Sequence, residues 1–456
     1  MQKVIIVGAS DVGISAALRI RELDQNIRPL VIADNNFPNY SICGIPFYIG
    51  GEVKKVTDLA HRKQSDIEAA GIDLKLNTEV TAIKPEQKII EAVSENGEEL
   101  KLEYDKLVLG TGGRHIKPDI EGINLPGVFF MRWMDECLEF DNYLEEEKPE
   151  EALIVGGGYV GLEMAEALIR RGLKVTLVEF LDNVLNTVDL SLRKEVEKMM
   201  KEKGVEIVTA TAVEKIEDQA GRLLVKGSHG FEKEVDTVLI SVGTRPNTEL
   251  GKESGIETGF KKAFKVNRKM ETNLKNIYAG GDCAETLNYI TEKYNYYALG
   301  TVAHKHGRII GSNICGLETE FEGVIGTQSL KLFEHVIART GLNEKEAAAN
   351  LFEPISAEIE ADDHKHYYPE AVKLKIKVTA DKETKRILGA QIMGHKKAEI
   401  SKRIDIFATA IYNQLTVAEF SQLDLSYTPP LSSPWDPVQM AVQQLEAELR
   451  TQQDFS

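Results

Sequence analysis

The feature that most constrains this chain is a pattern of apolar run, glycine turn and helical spacing that occurs twice. The first copy runs from Val4 through the turn at residues 8–13, and the second from Leu153 through the turn at residues 156–161. The two turns open 148 residues apart, which is close to the length of one domain. Each copy predicts a strand, a tight turn and a helix, the unit that binds a nucleotide at the end of a parallel sheet. We therefore expect two nucleotide-binding units in one chain.

The second copy has every glycine of the pattern G-x-G-x-x-G, namely Gly156, Gly158 and Gly161. These glycines allow a tight turn, close approach of the backbone to a pyrophosphate, and close packing of the helix. Glu179 lies 23 residues after the first of them, at the end of the next predicted strand. A carboxylate there accepts hydrogen bonds from ribose hydroxyls and repels a 2′-phosphate. The second unit is therefore predicted to bind NADH in preference to NADPH.

The first copy departs from this pattern at one position. Gly8 and Gly13 occupy the outer glycine positions, but Ser10 stands where the second glycine belongs and Asp11 follows it. Serine is small, so it restricts the approach of a phosphate without excluding it. Asp34, 26 residues after the first glycine, is the predicted ribose contact of this unit.

Three shorter glycine turns outline the rest of the chain. They follow apolar runs and contain Thr111 with Gly112, Gly243, and Gly281 with Asp282. The last of these turns implies that the chain returns to its first unit after completing the second. From about residue 323, short alternating strands and then helices predict a third, α+β unit.

These patterns together predict an α/β protein with two Rossmann-like nucleotide-binding domains and a C-terminal α+β domain. The first domain is discontinuous and covers residues 1–115 and 245–322. The second covers residues 116–244, and the third covers residues 323–456.

Composition narrows the class of protein further. The chain has 55 Lys and Arg against 72 Asp and Glu, and its net charge of −17 argues against a broad nucleic-acid-binding surface. No apolar run approaches the roughly 20 residues that span a bilayer, and no signal-peptide pattern is present, so we expect a cytoplasmic protein without membrane contact. Four cysteines are too sparse for a disulfide framework and lack zinc-site spacing, so we expect a reducing compartment and no bound metal.

Among these cysteines, Cys43 is the candidate for chemistry. A helix that begins near Cys43 would place its thiol at the positive end of the helix dipole, which lowers a thiol pKa. Taken alone, the residue fits a buried, unreactive cysteine better than a reactive one. The surrounding architecture favours the reactive interpretation.

The glycine turns, the sequence Tyr-Ala-Gly-Gly-Asp at residues 278–282, and a cysteine 35 residues past Gly8 together resemble the pyridine nucleotide-disulfide oxidoreductase family over nearly the whole chain. The resemblance implies FAD in the first unit and NAD(P)H in the second. It also implies that Tyr159 gates the flavin face and that Glu163 contacts the nicotinamide. The last unit would form a homodimer and contribute to the active site of the partner subunit.

Cys43 is similar to the reactive residue of the single-cysteine branch of this family. That branch includes coenzyme A disulfide reductases, NADH oxidases, NADH peroxidases and NADH-dependent persulfide reductases. The dithiol branch has Cys-x-x-x-x-Cys, but the positions five before and five after Cys43 are Pro38 and Tyr48. The redox partner must therefore be the flavin together with a sulfur or a peroxide oxygen from outside the chain.

Two further places bear on the choice within the branch. NADH peroxidases and NADH oxidases typically have a histidine in the first glycine turn, where this chain has Asp11. The resemblance therefore favours these two activities less than sulfur reduction. Tyr367, Tyr368 and Tyr427 lie in segments that resemble those of coenzyme A disulfide reductases, in which tyrosines reach the partner's cysteine and donate hydrogen bonds to sulfur. Tyr427 is also compatible with a packed tyrosine before a Pro-Pro turn.

The resemblance also suggests where a substrate binds. A basic triplet soon after the cysteine, His61, Arg62 and Lys63, is a candidate for the phosphates of coenzyme A, although a solvated charge run is an equal alternative. Asn39 and Ile42 flank the cysteine and complete the predicted substrate contacts. Ile42 stands where several family members have asparagine, and Glu22 stands where some have a phosphate-binding arginine.

The resulting hypothesis is a homodimeric FAD-dependent NADH oxidoreductase that reduces coenzyme A disulfide, coenzyme A persulfide or polysulfide through Cys43. An NADH oxidase that reduces oxygen is the first alternative. A flavin-binding redox sensor that signals without turnover is the second.

Overall fold

The computed structural model of the chain describes residues 2–453. Its first part contains the strands and helices of the first glycine-turn unit and a small antiparallel sheet beside it. In chain order they are β1 (Val4–Val7), α1 (Asp11–Leu23), β2 (Leu30–Ile32), α2 (Ile45–Ile49), α3 (Gln64–Ala69), β3 (Asp73–Lys75), β4 (Thr78–Lys84), β5 (Ile89–Ser94), β6 (Glu99–Glu103), β7 (Lys106–Leu109) and β8 (Gly113–His115).

The middle part contains the second unit. Its elements are β9 (Val128–Phe130), α4 (Met134–Glu146), β10 (Glu151–Val155), α5 (Tyr159–Arg170), β11 (Lys174–Val178), α6 (Leu190–Glu202), β12 (Val205–Val208), β13 (Val213–Gln219), β14 (Arg222–Gly227), β15 (Phe231–Val235) and β16 (Thr237–Ile240). The chain then forms β17 (Thr244–Pro246), α7 (Glu249–Glu253), β18 (Ile277–Ala279), β19 (Thr286–Leu287), β20 (Tyr294–Asn295) and α8 (Gly300–Ile314).

The last part is an antiparallel sheet with helices. Its elements are β21 (Gln328–Leu332), β22 (His335–Gly341), α9 (Glu344–Ala349), β23 (Pro354–Asp362), β24 (Lys373–Asp381), β25 (Ile387–His395), α10 (Ile400–Tyr412), α11 (Val417–Ser421) and α12 (Pro437–Gln453). These strands and helices form the α+β unit that the sequence predicts from about residue 323. The sheet order is β21-β22-β25-β24-β23, so β23 forms an edge.

The first parallel sheet has the order β18-β7-β1-β2-β3. Its central strand is flanked on both sides, since Ile6 pairs with Val31 of β2 and with Val108 of β7. Burial on both faces explains why β1 and β7 are almost purely apolar. Ile277 of β18 pairs with Leu107, so the chain returns to this sheet after the second unit, as predicted.

The second parallel sheet has the order β12-β11-β10-β16-β9. β10 again lies in the middle and leads into α5 through the glycine turn. The predicted fold class, two Rossmann-like units and a C-terminal α+β unit, is confirmed. The residue boundaries assigned to the three domains stay a prediction.

One apolar core joins the segment of the candidate cysteine to the other units. Ile45 and Ile49 of α2 are buried together with Leu162 and Ala165 of α5 and with Leu332 of β21. Since α2 begins two residues after Cys43, this shared core fixes the cysteine segment relative to the second glycine turn.

Candidate active site

The first glycine turn is packed so tightly that its outer glycines are required. Gly8 has a φ of +109°, and a Cβ there would lie 2.2 Å from the carbonyl oxygen of Gly110. A Cβ on Gly13 would lie 1.9 Å from the carbonyl oxygen of Gly8. Both distances are far below a van der Waals contact, so the turn holds α1 against the sheet only with glycine at both positions.

A cavity of about 990 Å³ opens at the carboxyl ends of β1, β2 and β7. This is the edge at which open parallel sheets bind nucleotides. The predicted residues Gly8, Ser10, Asp34 and Thr111 all line it. The side chain of Asp34 is exposed at the end of β2, where it can accept hydrogen bonds from a ribose. The size, the glycine turn and this carboxylate fit an FAD.

Asp282 follows β18, the neighbour of β7 in the first sheet, and has a partner that the sequence patterns do not indicate. Arg132 Nη2 is 2.5 Å from the Asp282 carboxylate, and its Nε donates to the carbonyl oxygen of Gly113 at 3.0 Å. Gly281 has a φ of +70°, and a Cβ there would lie 2.5 Å from Val12. The predicted Asp282 turn is thus held against α1 on one side and by Arg132 on the other.

The second glycine turn repeats this construction with one difference. A Cβ on Gly156 would lie 2.3 Å from the carbonyl oxygen of Ser241, and one on Gly161 would lie 1.9 Å from that of Gly156. Around Gly158, in contrast, no atom of residues 2–453 apart from Gly158, its chain neighbours and the adjoining helix backbone lies within 4 Å of the Cβ position. The space beside Gly158 is therefore open for the approach of a pyrophosphate.

Glu179 is buried beside this turn, and the backbone already uses its carboxylate. One oxygen accepts the N–H of Gly157 at 2.6 Å, and the other accepts the N–H of Leu181 at 2.8 Å. These bonds fix the turn and aim the carboxylate. The remaining lone pairs of the two oxygens leave the carboxylate able to accept a ribose hydroxyl, and the contact of Glu179 with the ribose stays a prediction.

We expect Glu179→Gln to reduce the preference for NADH over NADPH by about tenfold. A neutral amide no longer repels a 2′-phosphate, and its NH₂ cannot accept the second backbone N–H. The ratio of kcat/KM with the two nucleotides measures the effect. Asp182→Asn changes a nearby exposed carboxylate and is the control. An unchanged ratio in Glu179→Gln would show that another residue reads the ribose.

Cys43 lies in a 3₁₀ turn, Ile42–Gly44, and is exposed. All four cysteines lie in the described part of the chain and all are free, but Cys137 and Cys283 are buried and Cys315 is partly buried. Cys43 alone thus reaches solvent freely. The positions five before and five after Cys43 are Pro38 and Tyr48, so the dithiol spacing is absent, and the single-cysteine site stays a prediction.

The predicted lowering of the Cys43 pKa is wrong. Desolvation by the surrounding protein raises the pKa of this thiol, and the charges of Asp11, Glu163 and Asp282 raise it further, while Arg132 opposes them. The expected dipole is weak because α2 is only five residues long and begins two residues after Cys43. Desolvation, followed by the charges of carboxylates from distant parts of the chain, raises this pKa, and both arise only in the folded protein.

Glu163 is the most strongly perturbed of these carboxyls. Burial raises its pKa to about 7, with a further contribution from Glu166, while Lys331 opposes the shift. Tyr159, at the start of α5, has its hydroxyl 3.4 Å from Thr187 Oγ1, and burial raises its pKa. The predicted contacts of Tyr159 and Glu163 with the nicotinamide and flavin stay predictions.

The Glu163 shift predicts a pH dependence of stability. The folded protein binds a proton between pH 4.5 and about 7 that the unfolded chain has released, so the free energy of unfolding falls as pH rises through this window. We expect Glu163→Gln to remove about 2 kcal/mol of this fall, since the side chain is only partly buried. Urea unfolding at pH 5 and pH 8 measures it, with the exposed Glu146→Gln as control. Equal pH dependence in native protein and Glu163→Gln would contradict the assignment.

Asn39 connects the basic triplet to the first glycine turn. Its N–H donates to the carbonyl oxygen of Ala9 at 2.8 Å, and its carbonyl oxygen accepts the N–H of His61 at 2.9 Å. Arg62 Nη1 donates to Asn39 Oδ1 at 3.3 Å. His61, Arg62 and Lys63 are all exposed. The triplet is therefore tied to the cysteine segment, while its role in binding phosphate stays a prediction.

The predicted tyrosines lie in the third unit on two segments that touch. Tyr367 and Tyr368 lie between β23 and β24, and Tyr427 follows α11. The N–H of Lys365 donates to the carbonyl oxygen of Pro429, which brings the two segments together. All three tyrosine side chains are exposed, Tyr367 by 73%. Nothing in this arrangement packs Tyr427 into a core.

Two dinucleotide-binding units, one of them adjoining an exposed single cysteine, define a flavin- and pyridine nucleotide-dependent oxidoreductase. The family model "Pyridine nucleotide-disulphide oxidoreductase" matches residues 2–307, and the model of its dimerisation domain matches residues 327–437. The chain belongs to this family.

Named relatives and solved structures cover almost the whole chain. An "NAD(P)H sulfur oxidoreductase (CoA-dependent)" of Pyrococcus furiosus is 37% identical, over 96% of this chain and 97% of the relative. An "NADH oxidase" of Methanocaldococcus jannaschii is 32% identical, over 97% and 98%. The solved structure of an NAD-dependent persulfide reductase from A. fulgidus has a TM-score of 0.94 and 35% identity, over 99% of this chain and 84% of that one.

Among residues 2–453, no group of three or more His, Cys, Asp and Glu is placed to hold a metal ion. Within the same residues, no helix has the length and apolar character needed to span a membrane.

Proposed function

We propose that this protein is an FAD-dependent NADH oxidoreductase that reduces coenzyme A disulfide, coenzyme A persulfide or polysulfide through Cys43. The observation that carries the proposal is the placement of Cys43. It is the freely exposed cysteine of the chain, and it lies within the electrostatic reach of Asp11 and Asp282, which belong to the two turns beside the FAD cavity. A sulfur that must exchange with sulfur from outside the chain needs this exposure.

The chemistry at Cys43 is thiol–disulfide exchange. The thiolate attacks one sulfur of the substrate, a Cys43–sulfur bond forms, and the substrate S–S bond breaks to release a thiolate that takes up a proton. Gly8, Ser10, Asp34 and Asp282 would hold FAD, which when bound would supply two electrons from NADH. With these electrons the Cys43–sulfur bond breaks, the second thiol leaves with a proton, and the Cys43 thiolate is restored. The overall reduction of a disulfide consumes one NADH and one proton and yields two thiols.

The residues of the second unit bind and orient the reductant. The open space at Gly158 admits the pyrophosphate of NADH, and Glu179 accepts the ribose hydroxyls. Glu163, whose pKa of about 7 lets it change charge near neutral pH, lies in the electrostatic reach of Cys43 and can adjust to the charge that develops there.

The third unit completes the site from a second subunit. The dimerisation domain supports a homodimer. Tyr367, Tyr368 and Tyr427 of one subunit would donate hydrogen bonds to the sulfur that leaves the partner's Cys43, which their exposed hydroxyls permit. The arginine and lysine of the triplet at residues 61–63 would bind the phosphates of a coenzyme A substrate. Four free cysteines suit a reducing, cytoplasmic location.

The test is anaerobic NADH oxidation by the FAD-loaded protein with three acceptors offered separately: coenzyme A disulfide, coenzyme A persulfide and polysulfide. We expect NADH consumption to match the thiol or sulfide produced, at two thiols per coenzyme A disulfide. If none of the three acceptors sustains NADH oxidation beyond one turnover, the proposal is wrong and the redox-sensor alternative gains support.

An NADH oxidase is the second candidate, because a relative with that name is 32% identical over almost the whole chain. The same cysteine would then cycle through a sulfenate. NADH oxidation in air without a sulfur acceptor, with water as the product and a rate above that of the sulfur reactions, would favour this candidate. Rapid anaerobic turnover with sulfur and slow turnover in air would reject it.

A further inference from the structure

Residues 181–189 of the second unit form a segment between β11 and α6 that contacts the second glycine turn. The N–H of Leu185 donates to the carbonyl oxygen of Gly157 at 2.8 Å. The hydroxyl of Thr187 donates to that of Tyr159 at 3.4 Å, and Tyr159 is the first residue of α5. The position of the segment 181–189 therefore sets the shape of the turn and the orientation of the Tyr159 side chain.

A buried arginine of the third unit holds this segment. Arg339 of β22 is 7% exposed, and its Nη1 donates to the carbonyl oxygen of Thr187. Within the third unit, Nη1 and Nη2 lie 3.1 and 2.6 Å from the two carboxylate oxygens of Glu346, and Nη2 also donates to the carbonyl oxygen of Gly341 at 2.7 Å. Glu346 therefore balances the charge of the buried guanidinium. The bond to Thr187 is not required for that balance, and it joins β22 to the second unit.

Two further side chains of the same sheet hold the end of the segment. Gln391 of β25 pairs with Asp189 in both directions, since its Oε1 accepts the backbone N–H at 2.6 Å and its Nε2 donates to the carboxylate at 3.0 Å. Nζ of Lys377, on β24, lies 2.8 Å from the same carboxylate. The strands β22, β25 and β24 are consecutive in the sheet. Three adjacent strands of the third unit thus bind residues 187–189 of the second.

We propose that Arg339, together with Gln391, positions the NADH site: by fixing the segment 181–189 from the third unit, the two side chains keep Tyr159 and the second glycine turn in the arrangement that admits the nucleotide. Tyr159 directly follows Gly158, beside which the site is open for a pyrophosphate. A site that is held in its binding arrangement before the ligand arrives loses less conformational entropy on binding. Arg339 and Gln391 are thus positioning residues, and the inference rests on the proposed function for the place where NADH binds.

The test measures NADH binding in the absence of any sulfur acceptor. FAD-loaded protein is mixed rapidly with NADH without air, and bleaching of the flavin is followed at increasing NADH concentrations. We expect Arg339→Lys to raise the dissociation constant of NADH about fivefold and to leave the limiting bleaching rate within about twofold of the native rate. A lysine can keep the ion pair with Glu346, but it lacks the planar fork that also reaches Thr187. A role in charge balance alone would be rescued by lysine.

Hydrogen–deuterium exchange followed by mass shows whether the segment itself is released. In Arg339→Lys without NADH, a peptide that contains residues 181–189 should exchange about threefold faster than in the native protein. Ser191→Ala is the matched control, because it removes another hydrogen bond between the same two units, from Ser191 to Glu358, outside the segment. It should leave both NADH binding and this exchange native.

Gln391→Leu is the second variant, and it carries the test if Arg339→Lys does not bind FAD. The change removes both hydrogen bonds to Asp189, while Lys377 still balances that carboxylate. We expect the dissociation constant of NADH to rise about threefold, because the segment is then held at Thr187 only by Arg339. Exchange of the peptide that contains residues 181–189 should again be faster than in the native protein.

Three results would overturn the inference. The first is a native dissociation constant for NADH in both Arg339→Lys and Gln391→Leu. The second is a raised dissociation constant with native exchange of the segment 181–189, which would mean that the side chains act by another route. The third is an equal rise in Ser191→Ala. The proposed function fails separately: a native protein whose flavin is bleached by NADH but which reduces no sulfur acceptor would contradict it and leave this inference standing.

Discussion

Cys43→Ser is expected to lower the NADH-dependent reduction of every sulfur acceptor by about a thousandfold or more. A serine hydroxyl does not ionise near neutral pH and cannot form a bond to sulfur that thiol exchange would break. Binding of NADH and reduction of the flavin should continue, because the turn at residues 156–161 is untouched. Anaerobic steady-state assays measure the loss, and rapid-mixing bleaching of the flavin measures the step that remains.

Cys315→Ser is the matched control for this change. Cys315 is partly buried at the end of α8. The Cys315→Ser variant should therefore keep the native rate with all acceptors. Native turnover in Cys43→Ser would remove the cysteine from the mechanism. Loss of flavin bleaching in Cys43→Ser would instead mean that the cysteine is needed for the cofactor site itself.

The second large effect concerns two glycines of one turn that differ only in their surroundings. Gly161→Ala would place a methyl group 1.9 Å from the carbonyl oxygen of Gly156, so the turn must open. We expect a loss of about 2–3 kcal/mol in the free energy of unfolding and no measurable NADH binding. Gly158→Ala meets open space and has a φ of −81°, which alanine adopts without strain. Its stability should be native.

Gly158→Ala should nevertheless raise the KM for NADH about tenfold, because the methyl group fills the space through which the backbone meets a pyrophosphate. Urea unfolding and NADH titration of the two variants separate packing from binding. Gly172→Ala is not a suitable control because Gly172 has a φ of +89°. Ala167→Gly, inside α5, tests helix stability without touching the turn. A native KM in Gly158→Ala would place the pyrophosphate elsewhere.

Much of the fold follows from local patterns. The strands β1 and β10 are continuous apolar runs followed by glycine turns, and both patterns act within about fifteen residues. The strand β23 has a weak signal in the sequence, because its residues alternate without strong hydrophobicity, as an edge strand of an antiparallel sheet permits. The helix α12 begins at Pro437 and has many polar residues, so the packing of its apolar face in the core of the third unit stabilises it.

In the candidate site, too, some residues follow from local sequence patterns and others do not. The sequence pattern predicts the glycines of the two turns. A Cβ at most of these positions would clash with residues a few positions away or with an adjacent strand. Arg132 was not foreseen as the partner of Asp282, since the two residues are 150 positions apart and lie in different units. No local pattern links them.

By itself, the sequence determined that this protein has two nucleotide-binding units, and it predicted a single exchangeable cysteine, because both depend on residue types at short spacings. Only the tertiary structure decided the electrostatic setting of that cysteine. The helix dipole expected from the local sequence lowers a thiol pKa, but Asp11, Glu163 and Asp282 converge from three separate segments and, with desolvation, raise it. Charges act through space, so their sum at Cys43 exists only after α1, α5 and the turn after β18 have come together.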